Sequence, residues 1–469
     1  MNVISLTELC RAVNLSFSEK TYEAKLYHGA RKGIFRDDRH AASFLYKDRK
    51  FANQYYRQVK SKLKKRLLDT FYASEIEHAN EFQKGYHEAH KTFCIAEELI
   101  GRNMRKSGIH LMKEALRLAE AHGSNSVASF AARALVSHFG AMEADRVQFQ
   151  KFKKKYQLLS EKNTIEDKLR LAYADVAGCF QNRWTAGREI NAMAQRYLAE
   201  INLHITLKDV KLSQLFFKIK IMGYQAASDW EKVIESCKVA VKHMEQLPGK
   251  KPYSIFFTFE IGAISAYLQL SQYKNADEAI SRSVTRVPKG HLNWSLLMLY
   301  LFISKLNQGL FDDAKGVYNA VTPHFSKMQA SMAENWRIAW AYYAFMADAP
   351  VQVGKFMNEV PIYSKDKEGS NCAILIAQLI NYLKEGKRGF VIDRMDGLNR
   401  YKRRYLSGDL RTAAFVALLS CLSKGNFNRE KVEKLSAPHL AKLQAERSIS
   451  DIELVRYELL WGKVLELLD

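Results

Sequence analysis

Apolar residues recur at helical spacing along most of this chain. In the clearest early example an apolar side chain returns every four residues, and cations occupy the opposite side. Its members are Phe51, Tyr55, Val59, Leu63 and Leu67. Such a stripe is the pattern of an amphipathic helix that buries one face. We therefore predict helices wherever this pattern repeats.

Proline and turn residues are distributed as a helical chain requires. All seven prolines lie at or after Pro248. A proline inside a helix costs about 3 kcal/mol. Residues 1–247 contain no proline and are therefore free to be helical. Asn-Gly and Asp-Gly, the usual hairpin turns, do not occur between alternating apolar runs. The chain is therefore predicted to be all-α.

The helical pattern divides the chain into three predicted regions. They are a basic N-terminal helical region at 1–105, a series of helix pairs at 106–435, and a C-terminal capping region at 436–469. From residue 144 the predicted helices are 144–158, 165–181, 184–203, 208–227, 229–246, 253–270, 273–286, 292–308, 311–322, 330–347, 350–357, 370–384, 388–405, 408–423 and 450–467. Because the connections are short, neighbouring helices are expected to be antiparallel.

A short phrase repeats at the turn inside three helix pairs between residues 210 and 325. Its copies are Ser228–Val233, Gln272–Ala276 and Leu310–Ala314. Aligning Val233, Ala276 and Ala314 gives spacings of 43 and 38 residues. Nine residues before these positions stand Tyr224, Tyr267 and Lys305, and a proline closes each unit at Pro248, Pro288 and Pro323.

This arrangement resembles the tetratricopeptide repeat. That family places a small residue early in the second helix of each pair, an aromatic residue late in the first helix, and a proline at the end of the unit. The chain departs from the family at Lys305 and Val233, and its spacing exceeds the 34 residues of that repeat. The resemblance implies an α-solenoid of antiparallel helix pairs. The chain is also similar to large bacterial helical-repeat proteins, which are scaffolds or regulators.

A solenoid of this kind would carry a long concave face that can hold an extended peptide or a partner helix. The alignment directs a mixed, moderately polar set of side chains towards it. The set is Lys218, Gln225, Thr258, Ser265, Gln269, Ile303 and Asn307. These residues are the predicted groove.

The charge of the chain favours an acidic partner. With 72 Lys and Arg against 50 Asp and Glu, the net charge is +22. Two basic segments are candidate contacts for an anionic partner, and the second is interleaved with Tyr401 and Tyr405. Their residues are Lys60, Lys64, Lys65, Arg394, Arg400, Arg403 and Arg404. Cations beside aromatic rings suit phosphate contacts and base stacking. The alternative interpretation is that these cations lie on solvated helix faces and bind no partner.

The sequence offers little chemistry for catalysis or for a cofactor. Phosphate-binding glycine loops and the serine-elbow motif are missing. The nearest metal constellation is Glu75, His78, Glu81, His87 and His90, which lacks a second Glu-x-x-His motif. We interpret these residues as surface polar groups. No enzyme activity, metal or cofactor is predicted.

The six cysteines are scattered, and no apolar run is long enough for a signal peptide or a membrane span. The chain is therefore expected in the cytoplasm. The leading hypothesis is a non-catalytic scaffold or regulator that binds a protein or peptide partner in its groove. One alternative is nucleic-acid binding through the basic segments. Another is an intracellular peptide-sensing regulator.

Overall fold

A computed structural model of the chain describes most of its 469 residues. The described residues are 2–17, 21–47, 52–73, 81–182, 186–248, 251–350, 370–405, 409–446 and 453–468. Over these ranges the chain forms 22 α-helices and no strand, so the prediction of an all-α fold is confirmed. The predicted helix at 350–357 falls almost entirely outside the described residues.

The chain divides into two compact units, Met1–Leu135 and Val136–Asp469. The predicted region limits at 105 and 435 remain predictions. The first unit contains α1 (Val3–Ala12), α2 (Tyr22–Arg31), α3 (Asp38–Tyr46), α4 (Ala52–Ala73), α5 (Glu81–Gly101), α6 (Arg105–Ala121) and most of α7 (Asn125–Ser137).

The first four helices of the first unit share one apolar core. Leu6, Tyr27, Leu63 and Leu67 are fully buried in it. Side-chain caps begin three of these helices, since Asn2, Thr21 and Asp37 accept bonds from backbone N–H groups of the first turn. Helices α5 and α6 pack on each other as an antiparallel pair. Local caps and one buried stripe per helix therefore account for this unit.

The second unit contains the remaining helices. They are α8 (Arg146–Asn182), α9 (Gly187–Ala199), α10 (Leu203–Thr206), α11 (Val210–Ala226), α12 (Trp230–Gln246), α13 (Tyr253–Gln269), α14 (Tyr273–Val284), α15 (Leu292–Asn307), α16 (Phe311–Val321), α17 (Ala330–Met346), α18 (Ser370–Lys384), α19 (Arg388–Tyr405), α20 (Leu410–Lys424), α21 (Arg429–Ala445) and α22 (Tyr457–Glu466). A π-helical turn, His138–Met142, precedes α8, and a 3-10 turn, Thr322–Lys327, follows α16.

Consecutive helices pack against each other from α11 to α16, and α13 also contacts α15, which in turn contacts α17. One turn geometry joins the helices of the pairs α11/α12, α13/α14 and α15/α16. The bonds that close it run from Asp229 N–H to Tyr224 O (3.0 Å), from Gln272 N–H to Tyr267 O (2.8 Å) and from Leu310 N–H to Lys305 O (3.0 Å). The residue before each donor is left-handed: Ser228 and Ser271 at φ 56° and Gly309 at φ 72°. The repeated phrase thus corresponds to a repeated backbone turn.

The same turn also occurs outside the range where the phrase can be read. Between α18 and α19, the Lys387 N–H donates to Tyr382 O at 2.9 Å after a left-handed Gly386. Between α5 and α6, the Met104 N–H donates to Leu99 O at 2.8 Å. The turn is therefore not confined to the pairs that carry the repeated phrase.

The residues aligned in the phrase occupy equivalent buried sites. Val233, Ala276 and Ala314 are each 0% exposed. Lys305, which stands in place of the expected aromatic residue, reaches the neighbouring pair, where its Nζ lies 2.9 Å from Oδ2 of Asp277 on α14. An ion pair between helices thus replaces ring packing at this site.

Three helix predictions were wrong. The helix expected at 450–467 begins only at Tyr457 among the described residues, since residues 453–456 are not helical. The helices expected at 144–158 and 165–181 are one continuous helix, α8, because Leu159 and Ile165 are both buried across the polar stretch between them. Helix α21 was missed altogether. It contains Pro438 in its interior, where a proline removes a hydrogen-bond donor and normally ends a helix.

The largest apolar core surrounds the last helices of the second unit. Residues 371–383 of α18 are buried along the whole helix, and Tyr457, Leu460, Trp461 and Val464 of α22 are buried with them. The α22 ring of Tyr457 stacks on Phe415 of α20 at 4.1 Å. In the described part of the chain, no helix has the length and apolar character needed to cross a membrane.

Candidate functional site

The predicted groove residues all lie on the first helices of three successive pairs. Lys218 and Gln225 are on α11, Thr258, Ser265 and Gln269 are on α13, and Ile303 and Asn307 are on α15. Each of them is half-buried. They therefore line helix faces that neighbouring helices cover only in part.

Asn307 is in contact with the non-helical segment that precedes α22. Its Nδ2 donates to the Leu454 carbonyl oxygen at 2.8 Å, and its Oδ1 accepts from the Arg456 backbone N–H at 2.9 Å. A side-chain amide offers one donor and one acceptor group, and here both are used by main-chain atoms. The contact therefore holds the backbone of this segment irrespective of the side chains on it. We call residues 453–456 the C-terminal strap.

Arg456 joins the C-terminal strap to the end of α13. Its Nη2 donates to the carbonyl oxygens of Leu268 at 2.7 Å and Gln269 at 3.1 Å, and to the Ser271 hydroxyl at 2.9 Å. Carbonyl groups at a helix C-terminus lack partners within the helix and carry partial negative charge, so a guanidinium group satisfies them well. Arg456 thus links the Gln269 carbonyl at the end of α13 to the Asn307 side chain on α15.

A buried ion pair anchors the strap at its first residue. The Arg411 guanidinium binds both carboxylate oxygens of Glu453, at 2.6 and 2.7 Å, and also reaches Glu458 at 2.5 Å. Arg411 is 5% exposed. Burial opposes its charge, but the two carboxylates outweigh that effect and raise the pKa of Arg411. Since a buried bidentate pair is hard to break, the strap is a fixed part of the fold.

The other predicted groove residues do not touch the strap. Lys218 is half-buried, and desolvation alone lowers its pKa. No carboxylate among the described residues counteracts that shift. Gln225 and Ser265 form no side-chain hydrogen bond with described residues, and the Thr258 hydroxyl bonds only the Ser254 carbonyl of its own helix. The α11 and α13 faces therefore retain polar groups that are free to bind a partner.

The basic segments are placed differently from one another. In the first unit, Lys60 is paired with Asp38 at 3.1 Å, whereas Lys64 and Lys65 are exposed. In the second unit Arg400 and Arg403 are exposed on α19. Arg394 is half-buried, and the side chain of Arg404 lies outside the described part of the structure.

The described part of the chain shows no three His, Cys, Asp or Glu side chains placed to hold a metal ion. Of the histidine and glutamate constellation, Glu75 and His78 lie outside the described residues. His90 shares a 3.2 Å hydrogen bond with the Ser124 hydroxyl. His87 packs its ring against Tyr72 at 6.3 Å. These two histidines therefore have structural neighbours.

Comparison of the chain with protein-family models, with curated proteins and with solved structures finds no match. Sequence reasoning missed the strap residues Leu454 and Arg456. They lie about 150 residues beyond Asn307, and no local pattern could connect them with it. The buried partners Arg411 and Glu453 were missed for the same reason.

Proposed function

We propose that this chain is a non-catalytic helical-repeat scaffold or regulator that binds an extended segment of a protein partner. The binding surface is formed by the exposed parts of α11, α13 and α15. One observation carries the proposal: Asn307, predicted as a groove residue, already binds the main chain of the non-helical strap through both polar atoms of its amide. The free polar groups on α11 and α13 are chemically suited to do the same.

The repeated turn supports a solenoid related in design to the tetratricopeptide repeat. In each of the three pairs, one residue of the turn is left-handed and the residue five positions later is fully buried. Contacts between alternate helices, α13 with α15 and α15 with α17, are those expected when pairs stack side by side. Such stacking would align the first helices along one concave surface.

The charge of this surface indicates the chemistry of the partner. Lys218 is a half-buried cation whose pKa is lowered by desolvation. A carboxylate from a bound peptide would neutralise it and replace the water that burial removes. Gln225 lies about two helical turns further along α11. Its side-chain amide can donate to and accept from a peptide backbone. The expected ligand is an extended peptide with at least one acidic side chain.

Peptide selection against the whole protein tests this proposal. The affinities of selected peptides are measured by fluorescence anisotropy for the unchanged protein and for the variant Lys218→Ala/Gln225→Ala. We expect the double variant to weaken binding by about ten-fold or more, because a charge-assisted bond contributes roughly 1.5–3 kcal/mol. The control is Lys242→Ala, an exposed residue on α12. Selected peptides that lack acidic residues, or that bind the double variant as well as the unchanged protein, would refute the surface.

Nucleic-acid binding through the basic segments is the weaker candidate. Lys64 and Lys65 are exposed and form no ion pair with described residues, which favours it. Lys60, however, is already neutralised by Asp38. The same anisotropy assay with a labelled oligonucleotide decides between the two. A steep loss of affinity with salt, about 0.9 in log K per log salt for each phosphate contact, would support this alternative.

A further inference from the structure

A cavity of about 480 Å³ lies beside the π-helical turn at the start of the second unit, and the peptide-binding proposal does not use it. Its walls come from the end of α7, from the π-helical turn and from the first turn of α8. The apolar residues that line it are Val136, Phe139, Ala141, Ala144 and Phe149. Cavities of about 300–1,000 Å³ with mostly apolar walls are the usual sites for small ligands. We call it the π-turn cavity.

Several contacts hold the walls of the π-turn cavity in place. The Glu143 backbone N–H donates to the His138 carbonyl oxygen at 3.1 Å, and Oε1 of Glu143 lies 2.9 Å from Nε2 of His138. The Phe149 ring packs so closely on Gly140 that a Cβ atom there would come within 2.8 Å of it. Ala144 adopts φ 52°, which is uncommon outside glycine. Because π-helical turns and such backbone angles cluster at functional sites, this cavity is a candidate ligand site.

Positive charge lies at one rim of the π-turn cavity. Arg146 lines the cavity. Arg146, Phe149 and Lys153 follow one another at intervals of three and four residues, so they share one face of α8. The Lys153 ammonium group lies 5.7 Å from the centre of the Phe149 ring. Both cations are exposed, and neither forms an ion pair with a described residue.

The carboxylates next to this rim are engaged by groups of the protein. Asp145 accepts two backbone N–H bonds of 3.0 Å from the first turn of α8. Glu143 lies against His138. A carboxylate on a bound ligand could therefore pair with Arg146 without displacing an ion pair of the protein.

We propose that the π-turn cavity binds a small aromatic carboxylate. The ring of the ligand lies between the apolar walls, in contact with Phe139 and Phe149, since aromatic rings pack favourably on one another. Its carboxylate reaches the rim and pairs with Arg146, and the charge of Lys153 adds to the attraction. A neutral ligand of the same shape gains only the apolar contacts. The proposal is independent of the peptide surface on α11 and α13.

Ligand-observed NMR titration of the whole chain with phenylacetate tests the site, and phenylacetamide serves as the neutral analogue. We expect the unchanged protein to bind phenylacetate at millimolar concentration or below, and the amide about three-fold to ten-fold more weakly. Arg146→Gln should lower the affinity for phenylacetate to that for the amide. The control is Lys168→Gln, which removes an exposed charge about six turns further along α8 and should leave both affinities unchanged.

A second variant, Ala141→Phe, tests whether the ligand occupies the cavity itself. Ala141 is exposed and lines the cavity, so a phenyl group there takes the space of the ligand ring. We expect it to weaken binding of both the acid and the amide by at least about ten-fold, because the apolar contacts are lost. Thermal melting establishes that the variant is folded; if it is not, the comparison of Arg146→Gln with Lys168→Gln decides alone.

Four outcomes would overturn the proposal. They are no binding of phenylacetate at millimolar concentration, equal affinities for the acid and the amide, equal effects of Arg146→Gln and Lys168→Gln, and full binding by a folded Ala141→Phe variant. A peptide ending in phenylalanine that binds the cavity where phenylacetate does not would also overturn it, in favour of a protein partner.

Discussion

Two sets of first helices in the second unit, α11, α13 and α15 in one and α18 in the other, end in the same kind of turn. They differ in how other helices cover them. Helices α11, α13 and α15 keep half-buried polar side chains on one face, whereas residues 371–383 of α18 are buried on every side. Both sets lead into the same left-handed turn. The difference therefore arises from what packs on the helices and not from the turn that ends them. We call α11 to α16 the open region, and α18 to α22 with the strap the closed region.

The closed region depends on contacts between residues that are far apart in the sequence. The strap and α22 are positioned by Arg411, by the stacking of Tyr457 on Phe415, and by Asn307. The pairs α11 to α16 depend instead on small or aliphatic residues buried at helix crossings. The two regions nevertheless share one apolar core, in which Ala314 is buried together with Tyr457.

The largest effect is expected from Arg411→Ala. The side chain of Glu453 is 0% exposed, so this change leaves a buried carboxylate without its partner. We expect a loss of about 3–5 kcal/mol in the free energy of unfolding, measured by urea denaturation with tryptophan fluorescence. The control is Arg429→Ala, whose 3.1 Å pair with Glu433 is exposed, and it should cost less than about 0.5 kcal/mol. Equal effects of the two changes would show that the strap is not anchored by this pair.

A smaller effect is expected from Ala314→Leu in the open region. Ala314 is 0% exposed where α16 meets its neighbours, so a larger side chain must push helices apart. We expect a loss of about 1–3 kcal/mol in the same assay. Ala320→Leu, at an exposed position of the same helix, is the control and should change the stability by less than about 0.5 kcal/mol. If Ala314→Leu were equally harmless, the aligned position would not be a packing site.

The smallest effect is expected from the pH dependence at His439. Its folded pKa lies below the ordinary value of 6.5, because burial and the nearby lysines disfavour its charged form. The unfolded chain therefore takes up this proton at higher pH, and stability should fall as the pH drops through about 6.5. Urea denaturation over a pH series should show a shallower fall for His439→Gln than for the unchanged protein. His110→Gln, at an exposed site on α6, should keep the full slope, and the reverse result would contradict the assignment.

Much of the open region could be predicted from the sequence, because its signals are local. The helices predicted at 253–270 and 292–308 end within one residue of α13 and α15. Apolar periodicity and turn residues within a few positions of each boundary were sufficient there. The repeated phrase also aligns Val233, Ala276 and Ala314, and all three are fully buried.

The closed region could not be predicted in the same way. Pro438 argues locally against α21, whereas in the structure the helix packs on α20 and α22. The pairing of Arg411 with Glu453 spans 42 residues, and the bond from Asn307 to Leu454 spans 147. Such juxtapositions follow from tertiary packing, which a single sequence does not encode in any short window.

The distance in sequence between Asn307 and its strap has a consequence for synthesis of the chain on the ribosome. The 147 residues that separate Asn307 from Leu454 take about 7–30 s to translate. During that interval the carbonyl groups at the end of α13 and the amide of Asn307 have no strap to bind. In the nascent chain these carbonyl and amide groups are thus left to water until Arg456 has emerged from the ribosome.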